Sequence, residues 1–285
     1  MSKKLWISAT LGASLLTLSV PAHALVLGTE VTINDQDPIY AGTATNEDNE
    51  AEPGMVQSQV WDLEGFFLEG TTLSMVGGYN YWSGQASGSG NGGTDGDGIF
   101  SSGDLFLSVG KPLFGASDVA NGAANGNVVE SNSYGYDYVF DLDFDTNAWS
   151  LYAIDESTDV VTSYYRQNYQ SNPWQFEATS GMQSLASGSI FGSESQTYSD
   201  AETGKSSWNG GTHYVAGLDL TALYAQLSGD ETLFAHFTME CGNDNLMGSW
   251  EYTDVPEPAT FALFTMGLGG LYLSRRKTKK AAKTA

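Results

Sequence analysis

From Tyr134 to Asp145 the chain alternates strictly. Tyr134, Tyr136, Tyr138, Phe140, Leu142 and Phe144 are interleaved with Gly135, Asp137, Val139, Asp141, Asp143 and Asp145. A period of two is that of a β-strand with one face buried and the other wet. Comparable short runs, rich in aromatic and β-branched residues, recur along the chain between Gly/Ser/Asn/Asp clusters, the pattern of an antiparallel all-β domain. They predict strands over Val60–Leu68, Thr72–Trp82, Gly103–Val109, Tyr134–Asp143, Trp149–Asp155, Val160–Arg166, Thr212–Leu218 and Leu233–Cys241. One short helix is predicted over Leu220–Leu227, closed by Gly229, with Asp219 or Thr221 near its start. Long polar loops separate the strands at Asn34–Gly54, Ser83–Gly98, Ala116–Ser133 and Ser180–Ser207. Many short strands with long end loops predict an all-β fold, a β-sandwich of jelly-roll type.

The two ends follow other rules. Lys3 and Lys4 precede the apolar run Leu5–Val20, and Pro21-Ala22-His23-Ala24 places small residues at the two positions that a signal peptidase reads. Residues 1–24 therefore read as a signal peptide cut after Ala24, leaving an acidic domain over 25–252. At the other end, Pro256, Glu257 and Pro258 close an extended linker, 253–258. The prolines bias Val255 and Glu257 away from helix. An apolar stretch, 259–274, reads as a single transmembrane helix, and Arg275 and Arg276 open a basic cytoplasmic tail, 275–285. At about 1.5 Å per residue the helix spans roughly 22 Å, short against a hydrocarbon core of about 30 Å. On hydropathy alone, an uncleaved tail anchor is the alternative to a processed signal.

The order of Pro-Glu-Pro, apolar helix and Arg/Lys cluster resembles the PEP-CTERM sorting domain of bacterial surface proteins. The resemblance covers only about Val255 to Ala285. It implies processing by an exosortase, a membrane-embedded cysteine peptidase or transpeptidase, with Pro256, Glu257 and Pro258 at the recognition positions and Arg275 and Arg276 opening the stop. It also implies a bacterium that makes exopolysaccharide.

Charge narrows the partners. Lys111, Arg166 and Lys205 are the only basic residues between Leu25 and Asp254. They face 33 Asp and Glu there (34 in the chain, less Glu257), so this region carries a formal −30. Such a field repels nucleic acid and anionic lipid and favours divalent cations; an acidic coat that keeps an exported protein dispersed is the plainer reading. Cys241 is the only cysteine, so no intramolecular disulfide is available.

Three segments are candidates for chemistry. In the loop from Gly93 to Asp104, Asp95, Asp97, Gly98 and Asp104 fall at the third, fifth, sixth and twelfth positions of a calcium loop. Gly93 supplies no carboxylate at the first, so calcium would be held weakly, and a solvated hairpin loop is the alternative. Asp141, Asp143 and Asp145 read as a solvated strand face. His236 and Cys241 invite a cysteine-nucleophile reading, but in an extended strand they point to opposite faces. A buried thiol followed by a turn at Gly242-Asn243-Asp244 fits better. Cys241-Gly242-Asn243-Asp244 also resembles a stretch found just before the sorting tail of other exosortase-dependent proteins, with no activity implied. Trp82, Trp174 and Trp208 could stack on sugars or cap the core. No pair of carboxylates is singled out for glycoside hydrolysis.

The sequence thus predicts an exported surface or matrix protein with a structural or adhesive role linked to exopolysaccharide. It nominates no catalytic residue and no cofactor unless calcium. Its expected partners are signal peptidase, exosortase and the membrane, with polysaccharide as a further candidate. A calcium-assisted carbohydrate-binding module is the second reading and a secreted polysaccharide hydrolase the third.

Overall fold

A computed structural model of the chain describes residues 25–34, 47–52, 54–88, 93, 96–113 and 125–253. The signal peptide with Ala22 and Ala24, the sorting motif with Pro256, Glu257, Pro258, Arg275 and Arg276, and Asp95 of the candidate calcium loop lie outside the described residues. Among the described residues no helix is long and apolar enough to cross a membrane.

The chain is built almost wholly of strands. The first five are β1 (Thr29–Glu30), β2 (Leu63–Glu69), β3 (Thr72–Gly77), β4 (Gln85–Ala86) and β5 (Ile99–Phe100). Next come β6 (Leu105–Val109), β7 (Val129–Ser131), β8 (Tyr138–Asp143), β9 (Ala148–Ala153) and β10 (Asp159–Val161). The last five are β11 (Gln175–Phe176), β12 (Ala186–Ser189), β13 (Tyr214–Asp219), β14 (Glu231–Thr238) and β15 (Asn245–Tyr252). A four-stranded sheet runs β1-β2-β3-β13 and a six-stranded one β12-β9-β8-β6-β14-β15; β11-β10-β7 and β4-β5 form small accessory sheets. Every strand pair is antiparallel.

One large core lies between the two main sheets. Leu63, Phe66, Leu73 and Met75 of the four-stranded sheet meet Leu107, Phe140, Leu151, Leu233, Phe237 and Leu246 of the six-stranded one. Both open edges are then stitched by single segments. Past β1, Val31 donates its N–H to Phe66 O at 2.9 Å and accepts that of Ser249 at 2.8 Å, so this strand leaves β2 for β15. At the opposite edge the chain beyond β12 reaches Phe191, which exchanges two backbone hydrogen bonds with Gly217 of β13. The two sheets therefore close into a flattened barrel, which removes free edges that would otherwise template association.

The connectivity corrects the jelly-roll expectation. A jelly roll passes most connections from sheet to sheet, whereas β2–β3, β8–β9 and β14–β15 are hairpins within one sheet. Short turns at Gly70-Thr71 and Phe144–Asn147 return the chain beside the strand it has just left, with Gly70 and Asn147 at φ of 60° and 54°. The alternation at Tyr134–Phe144 is also broken. Gly135, at φ 83°, interrupts the strand, so Tyr134 and Tyr136 join Phe106, Val139 and Val160 in a second core on the far side of the six-stranded sheet, while Phe140 and Phe144 stay in the first. The predicted helix shortens to one turn, Thr221–Tyr224.

Candidate functional site

Four separate pieces of chain bring carboxylates together beside the start of β2. Asp62 follows a single 3-10 turn, Gln59–Trp61, as its C-cap residue. Glu64 is the extra residue of a β-bulge: Leu63 pairs with Gly77 and Gly65 with Val76, leaving Glu64 between them. A bulge re-aims the side chain it inserts. Here it also switches the core face of β2 from the odd position Leu63 to the even position Phe66. Gly77 and Gly78 let β3 approach this turn, since a Cβ on Gly78 would lie 2.0 Å from Gln59 O. The third piece is the segment 47–52, and the fourth is Asp244, at the mouth of β15.

One oxygen each of Asp48, Asp62 and Glu64 lie within 4.8 Å of one another. Asp48 is half-buried and Asp62 and Glu64 are fully buried. Asp48 Oδ2 accepts from Ser206 N at 3.1 Å and Ser206 Oγ at 2.7 Å. Glu64 Oε1 accepts from Gln59 Nε2 at 2.6 Å, and its Oε2 lies 2.5 Å from His213 Nδ1. His213 reaches Asp200 Oδ1 with its other nitrogen at 2.9 Å. Asp62 differs from these: no N–H or hydroxyl donor reaches either of its oxygens, and its carboxyl can bond that of Glu64 only through a shared proton.

The electrostatics follow from that crowding. Burial, then the charges of Glu64, Asp48 and Glu50, push the Asp62 carboxyl up to about 9. Burial and the charges of Glu50, Asp62 and Glu47 hold Asp244 well above the usual carboxylate range, against the Leu63 N–H that it accepts at 2.6 Å. Burial lowers His213, but Glu64 and Asp200 outweigh it and the imidazole is raised overall. The Tyr81 hydroxyl, buried without a partner, is raised by burial and then by the charges of Glu64 and Asp244. A set of carboxylates offers only acceptors when ionised, so it can hold protons or a hard cation.

The Cys241-Gly242-Asn243-Asp244 run fastens this centre to the barrel. Gly242 O accepts from Asn168 Nδ2 at 2.6 Å. Asn243 grips Val56 with its side chain, accepting the N–H at 2.9 Å and donating to the carbonyl at 3.0 Å, while its own carbonyl accepts from Glu52 N. Asn245 Nδ2 donates to Glu52 Oε1 at 2.9 Å. His236 stacks on Tyr136, while Cys241 packs into the main core on the other side of the sheet. The imidazole is lowered to about 4 by burial and the thiol is pushed far up by the same cause. Cys241 is therefore expected to be inert to a thiol-specific disulfide reagent in the native protein and to react fully once unfolded; stoichiometric labelling without denaturant would contradict this burial.

Of the residues expected to hold calcium in the 93–104 loop, Asp97 and Asp104 are described, and each is engaged by backbone N–H groups. Asp97 is exposed and accepts the Ile99 N–H at 2.8 Å. Asp104 is buried, with Oδ1 accepting from Leu142 N at 2.8 Å and Oδ2 from Phe176 N at 2.7 Å, so it fastens β11 of the accessory sheet to β8. Burial and then the charge of Asp141 raise it to about 8. Asp97 instead lines an open trough of about 690 Å³ with Trp82, Ile99, Asp143, Phe144 and Asp145. Trp82 is half-buried and its indole donates to Asn147 Oδ1 at 2.6 Å. Trp174 is buried, and the backbone N–H of half-buried Trp208 donates to Gln59 Oε1 at 2.6 Å beside the acidic centre.

A family model for the PEP-CTERM protein-sorting motif matches residues 254–277. The chain thus carries a signal for export and membrane-associated, exosortase-dependent sorting of a surface protein. No curated protein and no solved structure matches it.

Proposed function

We propose that this is an exported structural or adhesive protein of the bacterial envelope or extracellular matrix, associated with exopolysaccharide, and not an enzyme. The match at 254–277 carries this reading. Signal peptidase cuts after Ala24, the 259–274 helix holds the chain in the membrane, and exosortase acts near Pro256–Pro258. A closed barrel with a formal −30 between Leu25 and Asp254 suits a dispersed surface domain, and its single thiol is buried. Intact-mass and C-terminal peptide analysis of envelope and medium fractions tests it. A tail lost near Pro256 only in cells with exosortase is the expected result; an intact tail ending at Ala285 in both strains would refute it.

The trough beside half-buried Trp82 favours a second reading, a carbohydrate-binding surface. Aromatic faces stack on sugar rings and the flanking Asp97, Asp143 and Asp145 accept hydroxyl donors. Glycan-array binding that disappears on Trp82→Ala would support it.

A further inference from the structure

We propose that Asp48, Asp62 and Glu64 form a site for one calcium ion that ties the 47–52 segment into the barrel, a role independent of the sorting signal. Asp62 carries the argument. It is fully buried, neither oxygen has a donor, and one oxygen points into a group whose other members are also carboxylates. A buried carboxylate without a donor is costly when ionised, and proteins resolve such cases by keeping a proton on it, by pairing the charge or by binding a metal, which here would take the proton's place. The side chains at hand cannot supply enough positive charge. Among the described residues, Lys205 pairs with Glu30, and His213 is the one basic side chain paired with the centre, through Glu64.

The donor set selects the ion. Only oxygens are offered, the choice of calcium, magnesium or manganese over zinc or copper. Calcium–oxygen distances of about 2.3–2.6 Å put opposed ligands up to about 5 Å apart, which accommodates three oxygens lying within 4.8 Å of one another. Asp48 comes from the 47–52 segment, and Asp62 and Glu64 from the start of β2, so an ion here adds a tie between that segment and the four-stranded sheet. Gln59 and His213 hold the Glu64 carboxylate in position from behind.

Calorimetric titration of the purified protein with calcium chloride, alongside thermal unfolding in about 5 mM calcium and in a chelator, tests the site. One equivalent is expected to bind, and calcium is expected to raise the unfolding midpoint by about 5–10 °C. Asp62→Asn is expected to bind at least about tenfold more weakly, while unfolding in chelator no earlier than the wild type, because the amide keeps the shape and removes a buried charge. Should that variant not fold, Asp48→Asn on the half-buried rim provides the same comparison. Asp97→Asn is expected to bind as the wild type does. No saturable binding by the folded wild type, undiminished binding by the folded Asp62 or Asp48 variant, or loss on Asp97→Asn alone would each overturn the proposal.

Discussion

Gly78→Ala is expected to destabilise the protein by about 3 kcal/mol, lowering the unfolding midpoint by about 6–12 °C. The cause is local and steric. A Cβ at this position would stand 2.0 Å from Gln59 O and 2.4 Å from Gln59 Nε2, and a backbone carbonyl cannot swing aside as a side-chain tip can. The neighbouring chain is fixed from both sides. Gly78 N and Tyr79 N donate to Asp62 O at 2.9 and 3.2 Å, and Gln59 holds Glu64, Trp208 and Thr212 through its side chain. Displacing the Gln59–Asp62 turn therefore loosens the acidic centre as well as the edge of β3. Gly88, which has no neighbour within 4 Å and no positive φ, is the control: its alanine variant is expected to stay within about 0.5 kcal/mol of wild type. Equal midpoints for the two variants would contradict the packing described.

The same turn shows why some of this molecule could be read in advance and some could not. Strands announced by runs of apolar and aromatic residues, such as Thr72–Gly77 and Leu233–Thr238, arise where local pattern and near-continuous burial agree. In β15 the run Leu246-Met247-Gly248-Ser249-Trp250 carries no clear strand signal because Gly248 weakens the pattern. Gly248 is there because Val31 and Phe66 approach it closely at the closing edge of the barrel. Asp62 and Glu64 alternate with Trp61 and Leu63, which in a regular strand would put them in water; the bulge at Glu64 turns that face inward, and no single-residue propensity signals it. Nor does spacing reveal the centre, since its carboxylates come from positions 48, 62, 64 and 244. The 93–104 loop had the opposite fault. Its spacing suggested a ligand set, but Asp104 is drawn into the barrel by two backbone N–H donors that a linear template does not contain. The tail signal was legible because an address is read as a linear string, and its match at 254–277 requires no fold.

Stability is expected to fall as pH rises from about 6.5 to 8, and Asp104→Asn is expected to flatten that slope. Burial, then the Asp141 charge, raises the Asp104 carboxyl to about 8, against about 3.9 in an unfolded chain. Below pH 4 both states keep the proton and the group is neutral to stability. Between about 4 and 8 the unfolded chain has released it while the folded chain retains it, so the folded state binds more protons and stability declines with rising pH. One such group contributes at most about 1.4 kcal/mol per pH unit within the window. His236 opposes this at the acid end: lowered to about 4 by burial, it makes stability rise with pH up to about 6.5, where an exposed histidine loses its charge. The net fall is therefore cleanest above 6.5. His213, raised overall by Glu64 and Asp200, gives stability that is lost as pH rises through its folded value, so it acts in the same direction as Asp104. Comparing wild type with Asp104→Asn, rather than either protein alone, separates the two. Urea unfolding of both proteins at a series of pH values, in the same buffer and salt, measures the difference. Parallel pH profiles for the two proteins would show that Asp104 is ionised throughout, its charge held by the N–H groups of Leu142 and Phe176.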